Sequence, residues 1–241
     1  MNDIVLEKTN QIADILKEKG VDLWLTFVRE TSASKDPILP LIYGEADLTW
    51  HSALLFTCTD EKIAIVGRFE IETAEKSGAF DRVIPYDESL GPILLNELKR
   101  LQPQKIAINF SNNDPLADGL SHGMYLNLVE ILNDTPYGER ITPAEDVISA
   151  LRGRKTLTEI HRIKSAIDNT LEIYAFAFTK ITPGMTEKEV AEIMQVEVER
   201  RGLGYAWAKD NNPAVNSGPD SPIDRNAPTD IKIACGHLLH F

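Results

Sequence analysis

Five short runs rich in β-branched and aromatic residues fall within the first 110 positions, and they limit the fold more than any other feature of the chain. They lie at Val21 to Val28, Ala53 to Thr57, Lys62 to Val66, Arg82 to Tyr86 and Lys105 to Phe110. Runs of this length and composition read as strands. Thr59-Asp60-Glu61 between the second and third is a hairpin turn. Residues 3–19 carry Ile4, Leu6, Ile12, Ile15 and Leu16 at helical spacing, with Asp3 at the start and Gly20 at the end, which predicts one helix. Helical patterns at 69–77, 90–101 and 119–133 separate or follow the later strands. The first 140 residues therefore read as a mixed α/β domain.

Asn133-Asp134-Thr135-Pro136-Tyr137-Gly138-Glu139 concentrates turn formers and marks a connection near a domain boundary, so residues 141–241 read as a second domain. Residues 143–152 and 156–181 are helical in pattern. Thr186 with Glu189 forms a capping box that opens a further helix ending at Gly202. Residues 203–217 read as extended, 218–230 as a loop rich in Pro, Asp and Asn, and 231–233 and 238–241 as strands joined by a turn at Gly236. The chain stops while entering the last of these, so the pattern predicts a second domain without a closing layer.

Composition excludes several classes. The 25 Lys and Arg against 37 Asp and Glu give a net charge of −12, and no basic patch offsets it, so neither nucleic acid nor an anionic membrane is an expected partner. The amino terminus lacks the basic start and apolar run of a signal peptide, and no apolar stretch reaches membrane-spanning length, which predicts a cytoplasmic protein. Cys58 and Cys235 have no zinc or disulfide spacing and read as reduced, buried apolar residues. Walker A, GxGxxG and HExxH patterns are all missing.

Several residues invite a sharper reading. His237 and His240 suggest a metal pair, yet i, i+3 positions on a strand point to opposite faces. Asp220, Asp224 and Asp230 suggest a carboxylate cluster, but they lie among turn formers where Asp is routine. Ser32-Ala33-Ser34-Lys35 matches S-x-x-K without its companion motifs. Trp50-His51 reads as a partly buried structural pair at a strand end. Tyr205 and Trp207 alternate with alanines, which places both on one face and predicts core packing.

Read in order, the second half contains Leu151-Arg152-Gly153-Arg154-Lys155-Thr156, Thr182-Pro183-Gly184-Met185-Thr186-Glu187 with Glu189-Val190, Val215-Asn216-Ser217-Gly218, Pro228-Thr229-Asp230 and Gly236-His237-Leu238-Leu239-His240-Phe241. This series resembles the creatinase/prolidase/aminopeptidase P superfamily. The resemblance implies a creatinase-like α/β domain followed by an incomplete pita-bread domain. It also implies that the complete protein is a homodimeric hydrolase of Xaa-Pro peptide bonds, with peptide or small-molecule substrates. In that family two divalent ions, Mn, Co or Zn, activate a water. The first ligand is an aspartate directly after a strand like Leu238 to Phe241, and the others follow it. No metal or catalytic residue is thus expected in this chain, which by itself is expected to be inactive. Where the peptidases carry a substrate-contacting histidine, this sequence has Arg225, and no histidine occurs between His161 and His237. An arginine stays protonated and can hold a substrate carboxylate but not shuttle a proton. Two alternatives follow: a non-catalytic binding or assembly protein of the same fold, and a creatinase-like C–N hydrolase.

Overall fold

The computed structural model describes residues 2–221 and 227–241. The chain forms two compact units, Met1–Ile160 and His161–Phe241.

The first unit contains α1 (Asn2–Thr9), α2 (Ile12–Lys19), β1 (Leu23–Val28), the short α3 (Leu39–Ile42), β2 (Ser52–Thr57), β3 (Lys62–Gly67), α4 (Ile71–Ser77), β4 (Arg82–Tyr86), α5 (Gly91–Leu101), β5 (Ile106–Ile108), α6 (His122–Leu132), β6 (Ile141–Pro143) and α7 (Glu145–Gly153). The six strands form one sheet in the order β4-β3-β2-β1-β5-β6. β2 runs antiparallel to both neighbours, and the other pairings are parallel. Every residue of β1 is buried, because alternate side chains enter different cores. Trp24 and Val28 pack with Ile15 and Leu16 of α2 and Ile148 and Leu151 of α7. Leu23, Leu25 and Phe27 pack with Leu94 and Leu98 of α5 and Leu128 of α6. The result is a helix–sheet–helix sandwich.

All five strands read from the sequence are present, within two residues at most ends, and the 59–61 turn joins an antiparallel pair. Three features differ. The single helix expected over residues 3–19 is two, since Thr9 Oγ1 donates to Val5 O (2.9 Å) and Gln11 N to Lys8 O (3.0 Å), closing α1 with a tight turn. β6 was not legible, being three residues with no periodicity of their own. It pairs with β5, so the first unit extends past residue 140.

A buried cation closes this unit. Lys8 is fully buried, and its Nζ donates to Leu151 O (2.8 Å) and Arg154 O (2.8 Å) at the carboxyl end of α7 and lies 2.7 Å from Glu159 Oε2. An ammonium ion is favourable at a helix carboxyl end, where carbonyls lack partners within the helix.

α8 (Leu157–Phe178) leads into the second unit, which also holds α9 (Glu187–Arg200), β7 (Asn216–Ser217) and β8 (Leu239–His240). Its cores are small: Val190, Ala191, Val215 and Ile233 in one, Ile173, Ala177 and Met194 in the other. Phe241 packs edge-on against Tyr174 and Phe178, each at 5.7 Å. β7 and β8 are only two residues long. Residues 231–233 form no sheet strand. Instead they bond to the segment before α9, through Gly184 N to Ile233 O (2.8 Å) and Ile233 N to Met185 O (2.8 Å). The stretch 203–217 is mostly irregular, with a 3₁₀ turn at Lys209–Asn211. Trp207 is 61% exposed and donates to Asn211 O (2.9 Å), so the expected core packing of Tyr205 and Trp207 fails. Alternation fixed their relative direction only, and among the described residues neither side chain is buried. Cys58 is half-buried, Cys235 is exposed and both thiols are free, so the buried reading is wrong for Cys235.

Replacing Lys8 with Ala leaves the Glu159 carboxylate and two helix-end carbonyls without their partner. Unfolding in urea should show the first unit destabilised by about 3–5 kcal/mol. Ile163, Ile167, Leu171 and Phe178 are all exposed on α8 at spacings near one or two helical turns. The 241-residue protein should therefore bind a fluorescent apolar dye, and Ile167→Lys with Leu171→Glu should abolish most of that signal.

Candidate functional site

The most connected polar cluster in the second unit begins with the local sequence at α9. Thr186 caps the helix: its Oγ1 accepts from Glu189 N (3.2 Å), and Glu189 returns the bond by accepting from Thr186 N (2.7 Å). The capping box expected from the sequence is thus in place. It turns Glu187, the first helical residue, inward until it is wholly buried. Its carboxylate accepts from Ser217 N (2.7 Å), Thr229 N (3.1 Å) and Thr229 Oγ1 (2.6 Å), and from the Ser221 hydroxyl. One side chain therefore holds three points of the segment 217–229.

β7 carries the next layer. Ser217 Oγ lies 3.0 Å from His237 Nδ1, and Ala234 N donates to the same nitrogen at 3.4 Å. A backbone N–H can only donate, so Nδ1 of His237 acts as the acceptor in that contact. Gly218 approaches the same ring: a Cβ there would lie 2.5 Å from His237 Nδ1, and its φ of +71° also favours glycine. His240 places its Nδ1 3.2 Å from Asn216 Oδ1, and an amide oxygen only accepts, so this nitrogen is the donor. The two histidines are thus held by separate anchors. Only His240 lies in β8, so the strand-face argument does not apply to His237.

The Ser217–His237 contact has the elements of a nucleophile and base but not the access. Ser217 is 1% exposed, and its backbone N–H is committed to Glu187. Attack on a substrate requires the oxygen to reach it. The pair orders the turn instead.

The remaining sequence-derived candidates separate. Asp220 is exposed, and Asp230 pairs with Lys188 at 2.9 Å in contact with water. Arg225 and Asp224 lie outside the described residues. Ser32 and Ser34 are exposed, and Lys35 meets Glu45 at 3.4 Å. Trp50 is partly buried against Tyr86, at 5.6 Å between rings, as expected. Among the described residues no group of three or more His, Cys, Asp or Glu side chains could hold a metal ion. The buried role of Glu187 was missed by sequence reasoning. Its signal was present, an acidic residue between the two capping-box partners in a turn rich in donors three segments away.

Solved structures share this architecture. An Xaa-Pro dipeptidase from Bacillus anthracis is similar with a TM-score of 0.63 at 16% identity, over 98% of this chain and 59% of its own. A prolidase from Pyrococcus furiosus gives 0.58 at 20% identity, over 97% and 64%. The chain has the fold of these Xaa-Pro peptidases. An X-Pro aminopeptidase from Thermotoga maritima gives 0.58 at 20% identity, over 96% and 59%. The creatinase-like and pita-bread fold class expected from the motif series is therefore met. The chain spans about three fifths of the length of these structures. No family model matches the sequence, and no curated protein matches it.

Burial acts to raise the pKa of Glu187, but the hydrogen bonds from Ser221, Thr229 and Ser217 outweigh it and leave the carboxyl below its ordinary value of 4.5. A depressed folded-state pKa contributes stability above the unfolded value, and that contribution is lost as pH falls through the folded value. The amide resonances of Ser217 and Thr229 should therefore stay unchanged from neutral pH down to about 4.5 and broaden or shift below it. In Glu187→Ala they should be perturbed already at pH 7.

Proposed function

We propose that the chain forms the creatinase-like unit and the first part of the pita-bread unit of a metal-dependent hydrolase of Xaa-Pro peptide bonds. The observation that supports this reading is the likeness along 96–98% of the chain to solved Xaa-Pro peptidases. The motif series from Leu151 to Phe241 adds to it. In this reading the protein acts on peptides in the cytoplasm as a homodimer, and the metals are two Mn, Co or Zn ions.

The described residues do not fit such a metal pair, since they bring no ligand cluster together. No chemical step is assigned to them. Their part is structural: Glu187 holds Ser221 and Thr229, which flank position 225 in the sequence, and an arginine at that position suits a substrate carboxylate, which a guanidinium can grip with two parallel hydrogen bonds. Arg225 also favours a second reading, a non-catalytic binding protein of this fold, because it replaces a group able to move protons. A creatinase-like C–N hydrolase is the third.

The 241-residue chain should show no cleavage of an Ala-Pro dipeptide with or without Mn²⁺. The same chain together with any coding sequence that continues past Phe241 should show Mn²⁺-dependent cleavage. In that longer form, Arg225→His should raise the rate about 10-fold or more, within the usual contribution of a positioned proton carrier. A longer form that binds divalent metal yet leaves every Xaa-Pro substrate intact would favour the second reading, and turnover of creatine would favour the third.

A further inference from the structure

Asp36 lies in the loop of residues 29–38 after β1, is 1% exposed, and joins that loop to the one of residues 109–121 after β5. β1 and β5 are parallel neighbours, so both loops leave the same edge of the sheet. Asn109 Nδ2 donates to Asp36 Oδ2 at 2.7 Å, and Ile38 N donates to Oδ1 at 3.0 Å. The Asn109 amide carries the connection into β1. Its Oδ1 accepts from Trp24 Nε1 at 2.6 Å, and its Nδ2 lies 3.2 Å from Thr26 Oγ1. Asn109, Trp24 and Thr26 are all buried as deeply as Asp36.

Little room is left beside the carboxyl. A Cβ on Gly119 would lie 2.1 Å from Asp36 Cγ, so the backbone of the second loop is pressed against this group and a side chain there would collide with it. The charged residues nearby do not neutralise it. Lys35, next to it in the chain, turns to Glu45 at 3.4 Å, and Arg152 of α7 donates to Pro37 O at 3.4 Å. Asp118 in the second loop adds a like charge, and β1 and β5 contribute only the neutral Trp24, Thr26 and Asn109. Glu187 has donors in Ser217 N, Thr229 N, Thr229 Oγ1 and the Ser221 hydroxyl, whereas Asp36 has only Asn109 Nδ2 and Ile38 N. Here burial wins. It pushes the Asp36 carboxyl above its ordinary value of 3.8, against the pull of the Asn109 and Ile38 hydrogen bonds and with a contribution from Asp118.

A charge held in this way is short of partners, and hydration would supply them. We propose that Asp36 is a pH-sensitive latch: its protonated carboxyl holds the loops after β1 and β5 together, and its ionisation loosens them so that water reaches the group. A raised folded-state pKa contributes stability that is fully present below the unfolded value, near 3.8 here, and is lost as pH rises through the folded value. Asp36 thus acts in the opposite sense to Glu187, whose contribution is lost on acidification. The inference concerns the first unit alone and does not depend on the hydrolase reading.

The test is an NMR titration of the ¹³C,¹⁵N-labelled 241-residue protein from about pH 3 to about pH 8, with amide hydrogen exchange measured along it. The Asp36 carboxyl carbon is expected to titrate above 3.8, and the Trp24 indole N–H and the Ile38 amide to shift with the same midpoint. After correction for intrinsic exchange, the opening constant at Ile38 should be about 3-fold or more larger above that midpoint than below it, the ratio that a half-unit difference in pKa produces. Leu55 of β2, bonded to strands on both sides, serves as the control for global stability. Asp36→Asn cannot ionise and should remove the pH dependence at Ile38, whatever its own offset in stability. If that variant does not fold, the three readouts on the unmodified protein decide. An Asp36 carboxyl with no midpoint between 3.8 and about 8, Trp24 and Ile38 signals that do not share it, or the same pH dependence in Asp36→Asn would overturn the proposal.

Discussion

A charge taken out of water must find partners, and in each unit one buried charge collects segments that are far apart in sequence. Glu187 is wholly buried and draws Ser217, Ser221 and Thr229 to the start of α9. Lys8 is wholly buried and draws the end of α7 and Glu159 to α1. Leaving either ion unpaired would cost several kcal/mol. The hydrophobic cores cannot replace that specificity, because apolar contacts are not directional. In the second unit the dependence is sharper still, since among the described residues its two cores hold seven buried apolar side chains between them.

The first unit rests on a different balance. Its sheet is covered on both faces, so β1 and β2 are buried throughout and the polar work moves to the strand ends. There Glu70 ties the loop before β2 to the loop after β3, and Tyr86 at the end of β4 fixes His51. The same contacts finish the sheet at this end.

The central strands were legible because burial on two faces demands nearly continuous apolar runs, which stand out in a sequence. The hairpin at residues 59–61 and the capping box at Thr186 and Glu189 were legible because their chemistry is local. β6 was not, because three residues cannot carry a period and Ile141–Pro143 becomes a strand only by pairing with β5. Cys235 and Trp207 were misplaced for a related reason: residue type and alternation set direction, whereas burial requires a second layer to be present. Of the candidate site, the positions of the polar residues were readable and their joint dependence on Glu187 was not.

Sequence alone determined the class of the fold: a mixed α/β unit built on five apolar strands, a helical regime after it, an acidic composition, and a motif series like that of Xaa-Pro peptidases. Those properties depend on composition, periodicity and short-range spacing. Only the tertiary structure decided that Glu187 is a buried hub, that His237 and His240 are anchored apart on Ser217 and Asn216, and that the buried Nε2 of His51 has no hydrogen-bond partner among the described residues. Each of these depends on which distant groups remain as partners once the backbone has closed, and a one-dimensional pattern does not contain that distance.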